Sequence, residues 1–342
     1  MARKPKSKDD VGEQLAALDA LPAERNARIE GLQGALAARL SRVVAKAARL
    51  AEDGLYYELV PALLAAYPRF LDKPAKTDPS CLAKKAVTRA LVALDCDDAE
   101  FFARAVAYRQ PEPVYGGTAD TAVDVRAICA MGLVASGSPR ALVELTALLH
   151  DPEAAARAGA VRAVACGNPR EAELLLRAKI HAGDAEPAVV GECFTSLLGV
   201  APEDSVDFVA RYLTHADDTV RELAALALGE SRLDAALVPL KEAWGGVLLA
   251  ETFRRALLRA AAAHRSEAAA DWLLELAGDA RVPVALEIVE ALALYKHNAK
   301  LMQRLTAVLT ERGNATLLER LGALERLDVG VWSMNRGAQR DR

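Results

Sequence analysis

"SPRALVELTALLHDPEAAARAGAVRAVAC", residues 138–166, reads as two short helices folded back on one another. Ser138 offers a capping oxygen, and Pro139 falls at the first helical position, where its missing N–H costs nothing. Leu142, Leu145, Leu148 and Leu149 then gather on one helix face. His150-Asp151-Pro152 breaks the run, and Asp151 is placed to cap a second, alanine-rich helix. The same grammar follows in "NPREAELLLRAKIHAGDAEPAVVGECFTSLLGV" (168–200) and "APEDSVDFVARYLTHADDTVRELAALALGES" (201–231). Pro139, Pro169 and Pro202 recur at spacings of 30 and 33, and Asp151, Asp184 and Asp217 at steps of 33. Arg157 and Arg221 stand 64 apart, two repeats, and Arg254 follows 33 later. A pair of helices with one apolar face cannot bury that face alone, so stacking of neighbours is the expected solution.

Composition agrees. Of 342 residues 52% are hydrophobic but only 5% aromatic, because alanine and leucine, the strongest helix formers, dominate. Strand-like runs are missing, and the fold class expected is all-α. The Asp-bearing turn followed by Val-Arg, as in "DDTVREL" (217–223) and "AVDVRAI" (122–128), resembles the HEAT-type α-solenoid over most of residues 54–327. That resemblance implies a right-handed α-α superhelix of about seven to eight helical pairs. Their approximate spans are 54–94, 97–136, 138–166, 168–200, 202–231, 232–264, 266–297 and 298–327. It also implies that second helices line a concave face and that Asp and Arg form a ladder between neighbouring repeats. Val189, Val190 and Gly191 depart from the pattern, as do Thr252 and Phe253 before Arg254, so an interrupted ladder is expected.

Ahead of the repeats, Ile29, Leu32, Leu36, Leu40, Val43, Ala47 and Leu50 step by three or four, which predicts one long helix over 24–52. Residues 11–53 then form an N-terminal helical cap, residues 1–10 a disordered basic tail and residues 328–342 a flexible C-terminal tail. Arg3, Lys4, Lys6 and Lys8 come without an apolar stretch, unlike a secretory signal or membrane anchor. No window approaches the ~18 consecutive apolar residues of a membrane helix.

Evidence for catalysis or cofactors is absent at this level. The five cysteines, Cys81, Cys96, Cys129, Cys166 and Cys193, are isolated, form no C-x-x-C, and point to a reducing cytoplasm. His150, His181 and His215 each end a first helix, and His264 and His297 each end a second, so one imidazole per repeat is not expected to converge on a metal. Hydrolase, phosphate-loop and metalloprotease signatures are missing. The net charge of −4, from 43 basic and 47 acidic residues, gives no general attraction to nucleic acid.

One stretch breaks the rhythm. "RQPEPVYGGTADT" (109–121) makes the turn between its two helices about eleven residues long, against two to five elsewhere. Pro111 and Pro113 stiffen it, Gly116 and Gly117 permit a sharp bend, and Tyr115 offers a rigid amphipathic contact. Asp120 or Thr121 can cap the next helix, and Glu112, Asp120, Asp124 and Arg126 are expected to cluster at the base. Such a loop either shields an apolar edge or binds a partner.

Arg126, Arg157, Arg221, Arg254, Arg255 and Arg259 are expected on the concave face, with a basic excess around 254–259. The function expected is a non-enzymatic, cytoplasmic interaction scaffold for a protein or peptide. The first alternative is a nucleic-acid-associated solenoid that uses Arg254, Arg255, Arg259 and the basic tail, and the others come by resemblance. HEAT-like alkylpurine DNA glycosylases use a Trp, Asp and Arg cluster, for which Trp244, Trp272 and Trp332 are the tryptophans available. Other HEAT-like proteins are bilin lyases or chaperone-like adaptors.

Overall fold

A computed structural model describes residues 8–246 and 250–324. The chain forms two compact units that divide between Ala182 and Gly183. Both are built from paired helices.

In the first unit α1 (Lys8–Asp19) precedes α2 (Arg25–Leu36) and α3 (Ser41–Asp53). The single helix expected over 24–52 is therefore two helices. Leu40 sits in extended backbone, φ −89° and ψ 117°, and the chain reverses there. The apolar positions make two stripes: Leu32 and Leu36 are buried on α2, and Val43, Val44, Ala47, Ala48 and Ala51 on α3. The two stripes pack on each other, so the expected cap is itself a helical pair. A half-buried Leu40 at the break had bridged the two periodicities.

The pairs continue through α4 (Val60–Ala66), α5 (Pro74–Thr77) and α6 (Leu82–Ala93), then α7 (Ala99–Ala105) and α8 (Val123–Ala135). Between α7 and α8 lies an antiparallel hairpin of β1 (Pro111–Val114) and β2 (Gly117–Asp120), where an irregular turn was expected. After it come α9 (Ala141–Leu148), α10 (Ala154–Ala165) and α11 (Pro169–Ala182). Second helices form a continuous row, α3 against α6, α6 against α8 and α8 against α10, while α2, α4, α7 and α9 each pack on the member they precede.

The second unit repeats the plan with α12 (Pro187–Val200), α13 (Pro202–Ala210), α14 (Asp218–Ser231), α15 (Leu237–Trp244), α16 (Glu251–His264), α17 (Glu267–Asp279), α18 (Val282–Leu292) and α19 (Ala299–Arg312). A last helix spans 315–324. Its row runs α12, α14, α16, α18. Trp244 and Trp272 meet edge to face, centroids 6.2 Å apart, between the outer helices α15 and α17. Trp332 and the basic tail residues Arg3, Lys4 and Lys6 lie outside the described residues.

The turn grammar is physical. Asp120, Asp151, Asp184 and Asp217 each fold a carboxylate oxygen back to the N–H two residues on, at 3.0, 2.9, 2.9 and 2.8 Å. Each closes an Asx turn that starts a helix without leaving its first donors bare. Asp120 is thus the equivalent, one repeat earlier, of the three aspartates spaced by 33.

Row helices approach closely where a glycine allows it. A Cβ on Gly229 of α14 would collide with the Ala260 backbone of α16, 2.5 Å from its Cα. Gly199 of α12 is exposed, with nothing within 4 Å of such a Cβ. Two chemically identical changes should therefore have opposite signs. Gly199→Ala is expected to stabilise by about 0.5–1 kcal/mol through helix propensity. Gly229→Ala is expected to destabilise by about 1–3 kcal/mol through overpacking. Urea denaturation of the two variants reads the difference.

Candidate functional site

The hairpin is the feature that the repeat does not require. Its register pairs Pro111 with Asp120, Glu112 with Ala119, Pro113 with Thr118 and Val114 with Gly117. Tyr115 and Gly116 form the two-residue turn, and Gly116 takes φ +87°, a conformation that favours glycine. An isolated two-stranded hairpin is marginal in water. This one is held by polar contacts at its base, all within the first unit.

Glu112 is the first anchor. Its Oε1 accepts from the Ser80 N–H at 2.8 Å, the Gln110 side-chain amide at 2.6 Å and the Thr121 hydroxyl at 2.8 Å. Gln110 is itself buried; its amide also donates to the Asp78 carbonyl at 2.9 Å, and its side-chain oxygen accepts from the Tyr108 hydroxyl at 2.8 Å. Ser80 and Cys81 have left-handed backbone, φ 58° and 51°, immediately before α6. Beneath them the fully buried Asp78 carboxylate accepts from the N–H groups of Ala83 and Lys84 at 2.7 and 3.0 Å. It also pairs with the equally buried Lys84 ammonium at 2.9 Å. Lys84 donates to the Phe70 carbonyl at 3.0 Å and lies 5.6 Å from the Tyr108 ring centroid.

Arg126 is the second anchor. It is 1% exposed. Nη1 donates to the Tyr108 carbonyl at 3.0 Å and to Asp120 at 2.6 Å, and Nη2 donates to Asp151 at 3.0 Å. Arg109, half exposed, joins Asp151 at 3.0 Å. Residues of two successive pairs thus converge on two carboxylates, as the expected Asp–Arg ladder requires. The arginine–carbonyl contact recurs: Arg157 donates to the Asp151 carbonyl and Arg221 to the His215 carbonyl, each at 2.8 Å and six residues back. For Arg126 the carbonyl is 18 residues back, so twelve residues have been inserted without moving the contact.

These placements revise the sequence expectations. Arg126, Glu112 and Asp120 do cluster at the base, but they point into the protein and are consumed there. Arg126 cannot reach a partner on a concave face. Arg157 and Arg221 are half-buried at helix starts. Asp124 stays exposed and pairs with Lys85 at 2.9 Å, apart from the buried network. In the second unit Arg254 forks onto Glu287 at 2.7 and 2.9 Å, and Arg255 shares that carboxylate at 3.1 Å while also pairing with Glu251. The expected basic excess over 254–259 is therefore largely neutralised. Arg259 is exposed beside Glu230 in a shallow groove of about 400 Å³ along α14, α16 and α18. Tyr115 is the one expected site residue standing wholly in solvent, 108% exposed, next to Val114 at 50%. Sequence reasoning missed Asp78, Lys84 and Gln110 as members of the network, while Asp151 stood among the recurring aspartates of the expected ladder. Gln110 carried no signal for its contact with the Asp78 carbonyl, 32 residues away, and the inward turn of Asp78 and Lys84 is set by packing rather than by residue type.

Burial pushes the Cys81 thiol up to about 11, against the lowering effect of its contact with the Thr121 hydroxyl. Among the described residues no three His, Cys, Asp or Glu side chains gather as a metal site. His264 binds the Leu233 carbonyl through Nε2 at 2.9 Å.

No family model matches the sequence, and no curated protein matches it. Among solved structures, human deoxyhypusine hydroxylase in complex with glycerol is 17% identical, covering 76% of this chain and 91% of that one, with a TM-score of 0.30. An engineered protein from a structural-genomics programme is also 17% identical, covering 93% and 91%, with a TM-score of 0.33. Both likenesses are distant, and the helical-repeat fold rests on the helix pairs themselves.

Two consequences can be measured. Arg126→Leu removes the buried cation from Asp120 and Asp151, leaving only the half-exposed Arg109 beside them, and is expected to cost about 3–5 kcal/mol in chemical unfolding. Arg104→Leu, which removes an exposed pair with Glu100, should change stability by no more than about 0.5 kcal/mol.

Acid should release the hairpin. Burial by itself would raise the Glu112 and Asp120 carboxyls. Hydrogen bonds from Gln110, Thr121 and Ser80 to Glu112, and from Gln110, Ala122 and Arg126 to Asp120, outweigh it and hold both below their ordinary values of 4.5 and 3.8. A depressed folded-state value means stability that is complete above those ordinary values and lost as pH falls through the lower ones. Proteolytic nicking at the hairpin should therefore stay constant from neutral pH to about 5 and rise below about 4.

Proposed function

We propose that the protein is a non-catalytic interaction scaffold that docks a protein or peptide through the hairpin between α7 and α8. The observation that carries this is the combination of a bare tip with a fixed base. Tyr115 and Val114 are presented to solvent on a strand pair whose stalk is pinned by Glu112, Asp120 and Arg126. A tyrosine side chain gives a large contact area and a polar tip at low conformational cost. An insertion that keeps the repeat in register displays such a residue without disturbing the stack.

The HEAT-type resemblance of the repeats supports the scaffold reading, as does the use of the conspicuous charges inside the fold. The docking surface is the hairpin rather than a charged concave groove, because the arginines assigned to that groove are largely committed to internal pairs. A cytoplasmic setting belongs to the same proposal and fits the isolated thiols.

A photo-crosslinking residue placed at Tyr115, in the cells that make this protein, tests it. A discrete light-dependent adduct is expected at position 115 and not at Val238, an exposed apolar residue of α15. Absence of any adduct at 115, or the same ladder of adducts at both positions, would overturn the proposal.

A further inference from the structure

The hairpin has two edges, and they are not equivalent. Thr121 N–H donates to the Gln110 carbonyl at 3.0 Å, so positions 110, 112 and 114 turn their backbone groups toward β2. Positions 111 and 113 turn theirs outward, and both are proline. The outer edge of β1 therefore presents no donor that an incoming strand could use. Across the ladder from Pro113 stands Thr118, and across from Pro111 stands Asp120. These are the outward-facing positions of β2, and both retain an N–H and a carbonyl. Thr118 is exposed, and none of its groups bonds to anything outside the ladder among the described residues. One edge is capped and the other is open.

We infer that the partner adds to this protein as an extended strand along the outer edge of β2, hydrogen-bonded at Thr118 and Asp120, with an apolar side chain set against Tyr115. This inference rests on the hairpin being the docking element. The occupant is a proline-free segment of another protein. Main-chain bonds supply affinity in such an addition, and alternate side chains supply specificity. A second copy of this chain is the poorer occupant. A symmetric pairing would rest on a four-residue strand centred on Ala119, with two outward positions on each side, far less contact than the ~1,000 Å² a specific interface needs. A short peptide needs no more than an edge and a flanking aromatic residue.

A displayed library of random twelve-residue peptides, selected on the full chain, provides the probe. Recovered peptides are expected to lose at least tenfold in affinity for Thr118→Pro, which removes an outward N–H and none of the ladder's bonds, and to keep it for Thr118→Val, which removes only the hydroxyl. Tyr115→Ala should also weaken them. Methylating the amides of a recovered peptide one at a time leaves the protein untouched, and should weaken binding at alternate positions only. Uniform tolerance of methylation, with Tyr115→Ala still weakening binding, would overturn strand addition while hairpin docking stood. Peptides indifferent to every hairpin substitution, or a library yielding no binder, would overturn both. Concentration-dependent dimers abolished by Thr118→Pro would assign the edge to a second copy and overturn the partner segment.

Discussion

The Arg126 guanidinium is the constraint on which the first unit's architecture turns. It leaves α8, closes on the carbonyl that ends the preceding helical segment, and holds one aspartate from its own turn and one from the next. Its planar fork matches carboxylate geometry in a way an ammonium cannot. Buried ion pairs contribute little net stability against an apolar substitute, but breaking one side is expensive. What they give here is register. With Asp120, Asp151 and Tyr108 as its only geometry, α8 can neither slide along its neighbours nor rotate, and the hairpin that interrupts the chain must leave and return through fixed points.

That explains why an insertion of twelve residues is tolerated. The repeat contact from arginine to carbonyl spans six residues at Arg157 and Arg221 and 18 at Arg126, yet its length is nearly unchanged. The hairpin's strands are mostly exposed. A hydrophobic base was not available, because the faces of α6 and α8 are already spent on each other. Glu112 instead satisfies the N–H of Ser80, a residue forced into left-handed backbone where α6 must begin. The hairpin thereby supports the turn that supports it.

The sequence made the repeat legible because its punctuation is local. An aspartate bonding two residues ahead, and a proline at a first helical position, write their structure within a few residues of themselves. The all-α class and the pair boundaries follow from such signals. The hairpin was legible as an interruption but not as strands, since Pro111 and Pro113 are poor strand formers and owe their place to an outward-facing edge. The break at Leu40 was hidden because two helical stripes happened to join in phase. At the site, Glu112, Asp120 and Arg126 were readable as a cluster. Their direction, inward rather than outward, was set by Asp78, Lys84, Gln110 and Asp151, and no local pattern announces contacts such as Gln110 to Asp78, 32 residues apart, or Arg126 to Asp151, 25 apart.

Charge elsewhere in the molecule is spent in the same manner, which bears on how recognition works. Arg25 pairs with Glu58, Arg254 with Glu287, Lys300 with Glu267 and Arg304 with Asp271, each pair 33 residues apart. One repeat's cation meets the neighbouring repeat's carboxylate at the same height of the stack. Several of these pairs are exposed, and individually they contribute little stability. Each such pair commits its charges between neighbouring repeats rather than to a partner. For the docking proposed at the hairpin, affinity would come from short-range terms: apolar area, shape and unpaired backbone groups. Tyr115, Val114 and the outward-facing groups of β2 supply those terms within a few residues of one another, on an element whose position the buried charges have already fixed.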